Sequence, residues 1–334
     1  VKALVSSTLR RCLDYAAIRA LLPLAVVVAL GCVFNQQGAF FEYNTHRDML
    51  REISVVGILA CGMTVVIITA GIDLSVGSVL ALSAVCFALL TMPLGYGGSA
   101  AILAVLAIGA LAGAANGVLV ACARIQAFIV TLAMMVFARG LAKYLAGGKK
   151  VTNFVVGPDG TPTTVSHPEI FASIDTKILG ESLPIVTLVF LVCAGLTWVV
   201  LARLRLGRYL YAAGGNLEAA RLAGVPVRLT LVSAYLWCGL CSATAGICQA
   251  AQETHGDPET GLGYELDAIA MVVLGGTSLM GGRGSIGLTL VGALTLGYLQ
   301  KVLSLNAFST EARLMLTGVI IIAAVLFQRR SRYE

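Results

Sequence analysis

Apolar runs of roughly bilayer length recur along the whole chain, at about 20–34, 53–70, 74–92, 99–122, 126–146, 184–202, 229–251, 266–281, 285–304 and 312–327. No other feature restricts the available folds so severely. A hydrocarbon core of roughly 30 Å accepts about 20 consecutive apolar residues as a helix, and a helix pairs all its backbone groups within its own segment. Strands of a membrane barrel would alternate polar and apolar residues with period two, and these runs do not. Of the 334 residues, 58% are hydrophobic and 12% charged, whereas a soluble domain carries about twice that charged share. The expected fold is an all-α integral membrane protein with about ten transmembrane helices, forming a single membrane domain over 1–334. Several runs are short, so tilted, broken or re-entrant helices are expected among them.

Charge sets the expected orientation, because loops rich in Lys and Arg stay on the cytoplasmic side. Segment 203–229 carries Arg203, Arg205, Arg208, Arg221 and Arg228 against one acid, Glu218. Lys2, Arg10, Arg11 and Arg19 precede the first run, and Arg329, Arg330 and Arg332 follow the last. By contrast, 252–267 holds Glu253, Asp257, Glu259, Glu265 and Asp267 without a Lys or Arg. Ten crossings put every basic segment inside, 1–19 and both termini included, and the acidic loop outside. Loop 147–183 then falls on the periplasmic side. The net charge of +6 is thus accounted for by a membrane rather than by nucleic acid. The run 21–34, preceded by basic residues, has the look of a signal peptide, but no small-residue cleavage site follows it cleanly. A retained first span is expected.

Polar residues inside the apolar sequence are few, and each has a packing reading beside a functional one. The stretch 69–78 (TAGIDLSVGS) interrupts apolar sequence much as 275–285 (GGTSLMGGRGS) does later. Paired glycine-rich interruptions in two halves of a transporter point to a central site; ordinary tight turns between antiparallel helices give the same pattern. A carboxylate within the bilayer is costly unless paired, hydrated or near an interface, so Asp73 stands out. Asp73 and Ser75 are placed to cap the helix that starts near Val76 by accepting its free N–H groups. The other reading has the break lining a path for a hydroxyl-rich solute. Gly71, Asp73, Ser75, Asn116, Gln126, Thr277 and Ser278 make up that candidate lining. Asn116 and Gln126, like Gln249 and Asn306, serve equally well for bonding neighbouring helices. Arg139 and Lys143, near the end of their run, are expected to snorkel to the interface. Gly113 and Gly117 form a small-xxx-small pair for close helix contact. Cys238-x-x-Cys241 lies in an apolar run with no second pair, which favours small buried hydrophobes over a metal or redox site.

Within the basic segment, Asn216 is placed to cap a stubby helix of about two turns. Glu218 suits that helix's positive end, and Gly224-x-Pro226 stops it. Two readings stand: a connector lying on lipid headgroups, or an element that docks into a soluble partner. No G-x-x-x-x-G-K-[ST], H-E-x-x-H or G-x-S-x-G is present, so ATP hydrolysis by a phosphate loop and the hydrolase chemistries these motifs carry have no visible machinery.

Further motifs extend the pattern: Gly62-Met63-Thr64 leading into Gly71-Ile72-Asp73-Leu74-Ser75-Val76-Gly77-Ser78; Arg124-Ile125-Gln126-Ala127-Phe128-Ile129 with Thr131-Leu132 and Arg139-Gly140; Leu206-Gly207-Arg208-Tyr209 with Gly214-Gly215-Asn216; and Gly263-Tyr264-Glu265-Leu266-Asp267-Ala268-Ile269-Ala270 before Val273-Leu274-Gly275-Gly276-Thr277-Ser278-Leu279. In these residues the chain resembles the permease subunits of bacterial ribose-type ABC sugar importers, which also serve arabinose, xylose, galactose and related sugars. The resemblance runs from about Ile53 to Phe327 and is weakest near the N-terminus and in 147–183. It implies inner-membrane import of a monosaccharide, ribose or a related pentose or hexose, with no catalysis on this chain. It also implies that Glu218-Ala219-Ala220-x-x-x-Gly224, with Gly215, Asn216 and Arg221, contacts an ATP-binding subunit that holds ATP and Mg. A second permease chain and a periplasmic sugar-binding protein are the other implied partners. Two competing readings are an ion-coupled sugar carrier using Asp73 and a membrane-embedded enzyme active as a lone chain.

Overall fold

The computed structural model describes residues 18, 20–156, 162–164, 168–178, 183–316 and 318–319. The basic residues expected at both chain ends, and residues 157–161 of segment 147–183, lie outside these residues. The rest is helical, as the run lengths require: α1 (Ala20–Val33), α2 (Tyr43–Ile68), α3 (Val76–Thr91), α4 (Gly98–Ala121) and α5 (Ala127–Leu145) in the first half. Segment 147–183, expected as a loop, carries structure of its own. Strand β1 (Phe154–Val156) pairs antiparallel with β2 (Pro162–Thr164), α6 (Glu169–Asp175) follows, and β3 (Lys177–Ile178) pairs with β4 (Leu183–Pro184). The second half comprises α7 (Ile185–Ala202), α8 (Arg205–Gly215), α9 (Leu217–Leu222), α10 (Val227–Glu253), α11 (Tyr264–Leu274) and α12 (Ile286–Leu305). A further helical segment begins at Thr310.

Six of these helices, α2, α4, α5, α7, α10 and α12, are long and apolar enough to cross a bilayer; α1 and α3 are shorter apolar helices. Two boundaries depart from the run lengths. Helix α2 starts about ten residues before its apolar run, because polar residues such as Asn44, Arg47 and Asp48 continue the same helix beyond the hydrocarbon. The run 266–281 is a half-length helix, α11, followed by a glycine-rich loop. Gly275 and Gly276 are neutral enough to extend an apolar run yet end the helix, Gly276 at φ +84°.

Helix α2 is the axis of the fold, with every residue from Ile53 to Ile68 buried. Helix α10 packs across it and against α3 and α4. The α4–α10 seam is made by small residues: a Cβ at Gly113 would stand 2.2 Å from the Tyr235 carbonyl oxygen, and one at Gly239 2.1 Å from that of Gly109. Lipid gives helices no hydrophobic reason to associate, so backbone approach of this kind, together with hydroxyl bonds, holds them. Such bonds join α2 to α12 (Thr64 with Thr289, 2.9 Å), α2 to α7 (Ser54 to Thr187, 3.1 Å) and α10 to α7 (Trp237 to Thr197, 3.1 Å). Leu103, Leu111, Val136, Phe137, Leu191 and Val192 on α4, α5 and α7 are exposed, as lipid-facing side chains must be. Phe171 of α6 stacks on Phe87 of α3 at 5.1 Å between ring centroids, which ties 147–183 to the bundle.

Candidate functional site

The break between α2 and α3 is built from the backbone outward. Ala70 adopts a left-handed conformation (φ +62°) just past the end of α2. Gly71 has no room for a side chain, because the Tyr235 hydroxyl would lie 2.5 Å from a Cβ there. Asp73 Oδ1 accepts the Ser75 N–H at 2.9 Å and the Ser75 hydroxyl at 2.6 Å. The Ser75 hydroxyl in turn accepts from Asn116 Nδ2 on α4 at 3.0 Å. This corrects half of the capping expectation: Asp73 takes an N–H at the head of α3, but Ser75 makes no side-chain cap. Its hydroxyl relays Asp73 to Asn116 instead. Asp73, Ser75, Asn116 and Tyr235 are all at most 2% exposed. The Asn116 Oδ1 and the Tyr235 hydroxyl have no hydrogen-bond partner among the described residues. Leaving a buried polar atom unsatisfied costs about 1–3 kcal/mol. Asn116 lies five residues from the end of α4, so this polar node sits about 8 Å inside the bundle.

The two glycine-rich breaks, similar in sequence, touch each other. The Gly282 N–H donates to the Ile68 carbonyl at 2.9 Å, and a Cβ on Gly281 would meet Ala70 at 2.7 Å. Of the other lining candidates, Thr277 is buried against Gly284, its hydroxyl without a partner among the described residues. The Ser278 hydroxyl accepts the Met280 N–H within its own loop. Gln126 is exposed at the start of α5. Gly71, Asp73, Ser75 and Asn116 are therefore gathered at one place, Thr277 and Ser278 lie in the adjoining break, and Gln126 stands apart. Tyr235 completes the node without a sequence signal, since an aromatic residue in an apolar run reads as core.

The segment after α7 holds two helices rather than one. Helix α8, which the charge reading passed over, buries Gly207, Leu210, Ala213 and Gly214, a spacing of three and four that makes one inward stripe. Helix α9 is the stubby element, and the Asn216 side chain caps it by accepting the Ala219 N–H at 2.9 Å. Gly224 ends the element at φ +81°. Glu218 and Arg221 pair on its outer face, each about two-thirds exposed, with Leu217 and Leu222 exposed beside them. Gly215 and Ala219 are exposed too, and Ala220 is the buried contact. Gly214 is wedged against both breaks: a Cβ there would stand 1.8 Å from the Ile68 carbonyl oxygen and 2.8 Å from the Gly282 nitrogen.

On the opposite side of the bundle, segment 254–263 joins α10 to α11. Arg139 reaches the backbone of this segment. Its Nη1 donates to the carbonyls of Pro258 at 2.7 Å and Thr260 at 2.6 Å. Lys143 pairs with Glu259 at 2.6 Å and Lys150 with Asp257 at 3.0 Å. The Asp257 hydrogen bond and its charge raise the Lys150 ammonium. Burial works to raise the Asp257 carboxyl, but the Glu259 N–H and Lys150 outweigh it and hold it below its usual value. Cys238 and Cys241 are free thiols buried in α10.

Comparison with known proteins identifies the family. The family described as branched-chain amino acid transport system / permease component matches residues 47–325. The chain is 41% identical over 317 residues to the ribose import permease protein of Escherichia coli (strain K12), covering 92% of this chain and 93% of that one. It is 38% identical to the ribose import permease protein of Bacillus subtilis (strain 168), covering 92% and 91%. Identity to the fructose import permease protein of Rhizobium meliloti is 36%, covering 92% and 84%. No solved structure matches the chain. With nearly full-length similarity to sugar import permeases and a membrane bundle to match, this chain belongs to the ribose-type family of ABC sugar importer permeases.

Proposed function

We propose that this chain conducts a monosaccharide, ribose or a related pentose or hexose, inward across a bacterial inner membrane, driven by ATP hydrolysis on a separate subunit. The observation that carries this reading is the seat of α9: an exposed, capped helix whose lead-in glycine is packed on both breaks of the bundle. Force applied at α9 has a short mechanical route to Ile68 and Gly282, and through the α2–α3 break to Asp73. Gly215, Asn216, Glu218, Ala219, Ala220, Arg221 and Gly224 form the docking element for the ATP-binding subunit, which supplies ATP and Mg. Leu217 and Leu222, exposed on so short a helix, fit a partner's cleft. The lining of the sugar route draws on Asp73, Ser75, Asn116, Thr277 and Ser278, whose hydroxyl, amide and carboxyl groups suit a hydroxyl-rich solute.

In this arrangement the face of 203–229 is cytoplasmic, with both termini on that side. The acidic segment 252–267 faces a periplasmic sugar-binding protein, and a second permease chain completes the assembly. The test is Glu218→Lys in vesicles reconstituted with the ATP-binding subunit and the binding protein. The expected result is ATP hydrolysis that continues while sugar uptake is lost, from a chain that keeps its helical content. Normal uptake refutes the docking assignment. Uptake driven by an ion gradient with no ATP-binding subunit present overturns the reading as a whole.

A further inference from the structure

Segment 254–263 does not run over the top of the bundle; it dips into it. Thr254 turns the chain back at φ +59° after α10. Gly256 then lies so close to α3 that a Cβ would meet the Ala88 side chain at 2.8 Å and the Ala84 carbonyl oxygen at 2.9 Å. Five residues later Gly261 (φ +71°) reaches the first turn of the same helix. A Cβ on Gly77 would stand 2.3 Å from the Gly261 carbonyl oxygen, and a Cβ on Gly261 would meet Leu80 at 3.2 Å. The segment therefore travels down α3 from Ala88 to Gly77, seven to eleven residues, or about 15 Å. It ends over the head of the helix that follows Asp73. Helix α11 begins at that depth, which is why it is only half a span long.

Two glycine seats against α3 hold the inner side of this strap, and α5 holds its outer side. The Arg139 guanidinium grips the Pro258 and Thr260 carbonyls together. Lys143 and Lys150 neutralise Glu259 and Asp257, and Val151 pairs with Gly256 through two backbone hydrogen bonds of 2.8 and 2.9 Å. The carbonyls that Arg139 holds flank the descent to Gly261. Sequence alone assigns no such task to Arg139, since its acceptors are backbone atoms about 120 positions away.

We propose that Arg139 is a positioning residue for transport: it pins 254–263 as a removable strap that closes the sugar route on the side away from α9, directly over the Asp73 node. This rests on the transport reading above. Beyond its glycine seats and the Val151 backbone pair, the strap is held by one guanidinium nitrogen and two ion pairs rather than by an apolar core, so it is the part of this face that gives way first. Opening it uncovers the head of α3 and leaves the helices in place.

The test separates strap from transport by reading accessibility directly. Leu80→Cys is placed in a chain whose exposed Cys32 and Cys122 are Ser, held in nanodiscs, and modification of position 80 by a charged maleimide is followed by mass spectrometry. Leu80 is fully buried beneath Gly261. Arg139→Ala is expected to raise the labelling rate about tenfold or more, the size of losing a charged hydrogen bond. Arg139→Lys, which keeps the charge on a shorter stem, is expected to fall between. A labelling rate at position 80 that ignores both substitutions overturns the proposal, whether or not the chain transports. As a second arm, Lys143→Cys and Glu259→Cys are joined by a bismaleimide in the reconstituted importer. Tethering is expected to lower uptake far below that of either single cysteine treated alike, the comparison that removes any loss from altering the binding-protein face. Full uptake by the tethered chain overturns the proposal. If the untreated importer moves no sugar at all, the transport reading fails instead, and the labelling result stands by itself.

Discussion

The α carbon of Gly214 sits so close to the carbonyl of Ile68 that a methyl group on it would stand 1.8 Å from the oxygen. Ile68 is the last residue of α2, and Gly214 leads through Gly215 into the exposed α9. The same Ile68 carbonyl accepts the Gly282 N–H from the second break. Three backbone segments distant in sequence are thus joined at one carbonyl, with no side chain to absorb a displacement. Gly214→Ala is expected to destabilise the protein by about 1–3 kcal/mol, as overpacking does, and to lower transport beyond what the lost abundance explains. A Cβ at Gly215 meets nothing within 4 Å, so Gly215→Ala is expected to leave thermal stability within about 0.5 kcal/mol. Melting temperature and uptake per folded molecule, measured on the pair, check both.

The α9 cap gives a second, smaller effect. Asn216 satisfies one N–H of a helix only six residues long, and replacing such a cap by alanine costs about 1 kcal/mol. A cost of that size is local, because α9 makes few contacts with the bundle. Asn216→Ala is therefore expected to leave the global melting transition nearly unchanged while speeding amide exchange across 217–222. Restoration by Asn216→Asp or Asn216→Ser attributes the effect to the cap.

Asp73 carries a heavier structural share. Its Oδ1 accepts both the amide and the hydroxyl of Ser75, and Ser75 then orders Asn116. Asp73→Ala leaves the buried Ser75 N–H and hydroxyl without their acceptor, at a cost of about 1–3 kcal/mol each. Lower membrane abundance is the expected outcome, with lower uptake per folded molecule as well. Quantifying folded protein and uptake in the same vesicles decides between roles: a fall in abundance alone leaves Asp73 as a structural residue.

What the sequence made legible follows from how local each constraint is. Lipid imposes a length and a composition on every span, so α4, α5, α7 and α12 are visible as runs. The Asn216 cap and the Gly224 stop act over a few residues and are equally visible. The polar start of α2 is not, since hydropathy registers the hydrocarbon segment and not the helix. Helix α8 escapes because its inward stripe is built partly of glycine and alanine, which scarcely register as apolar. The half-length of α11 is set by the depth to which 254–263 descends, a tertiary fact. The contacts of Arg139 and Tyr235 escape for a related reason. A cation near a span end and an aromatic residue within a span each have a common explanation, and only their partners across the fold reveal another.

The ion pair between Lys150 and Asp257 predicts a pH window for the strap. Asp257 is held below its ordinary value, so its contribution is complete above about pH 4 and is lost as pH falls through the depressed value. Lys150 is held above its ordinary value, so its contribution is complete below about pH 10 and is lost as pH rises through the raised one. Between these limits both partners stay charged. The melting temperature of the wild type is expected to exceed that of Asp257→Asn from about pH 5 to 9. The two curves should converge as pH falls from about 4 through the depressed value, where the wild-type carboxyl also becomes neutral. A margin that persists in acid traces the contact to something other than charge.

Tyr235 offers the sharpest separation of packing from function. Its ring is fully buried between α4 and the first break, and Gly71 lacks a side chain where the hydroxyl lies. Yet that hydroxyl has no partner among the described residues, and neither has the nearby Asn116 Oδ1. If the group served stability alone, an unsatisfied hydroxyl would be the wrong choice, because phenylalanine fills the same volume without a desolvation cost. Tyr235→Phe is accordingly expected to melt at the same temperature as the wild type or higher. Uptake should nonetheless fall severalfold, because a passing sugar would lose a donor that the resting structure leaves free. Thermal unfolding and initial uptake rates on the same preparations provide the check: stability and uptake moving down together would mark the hydroxyl as a structural bond, and unchanged uptake would remove Tyr235 from the sugar route.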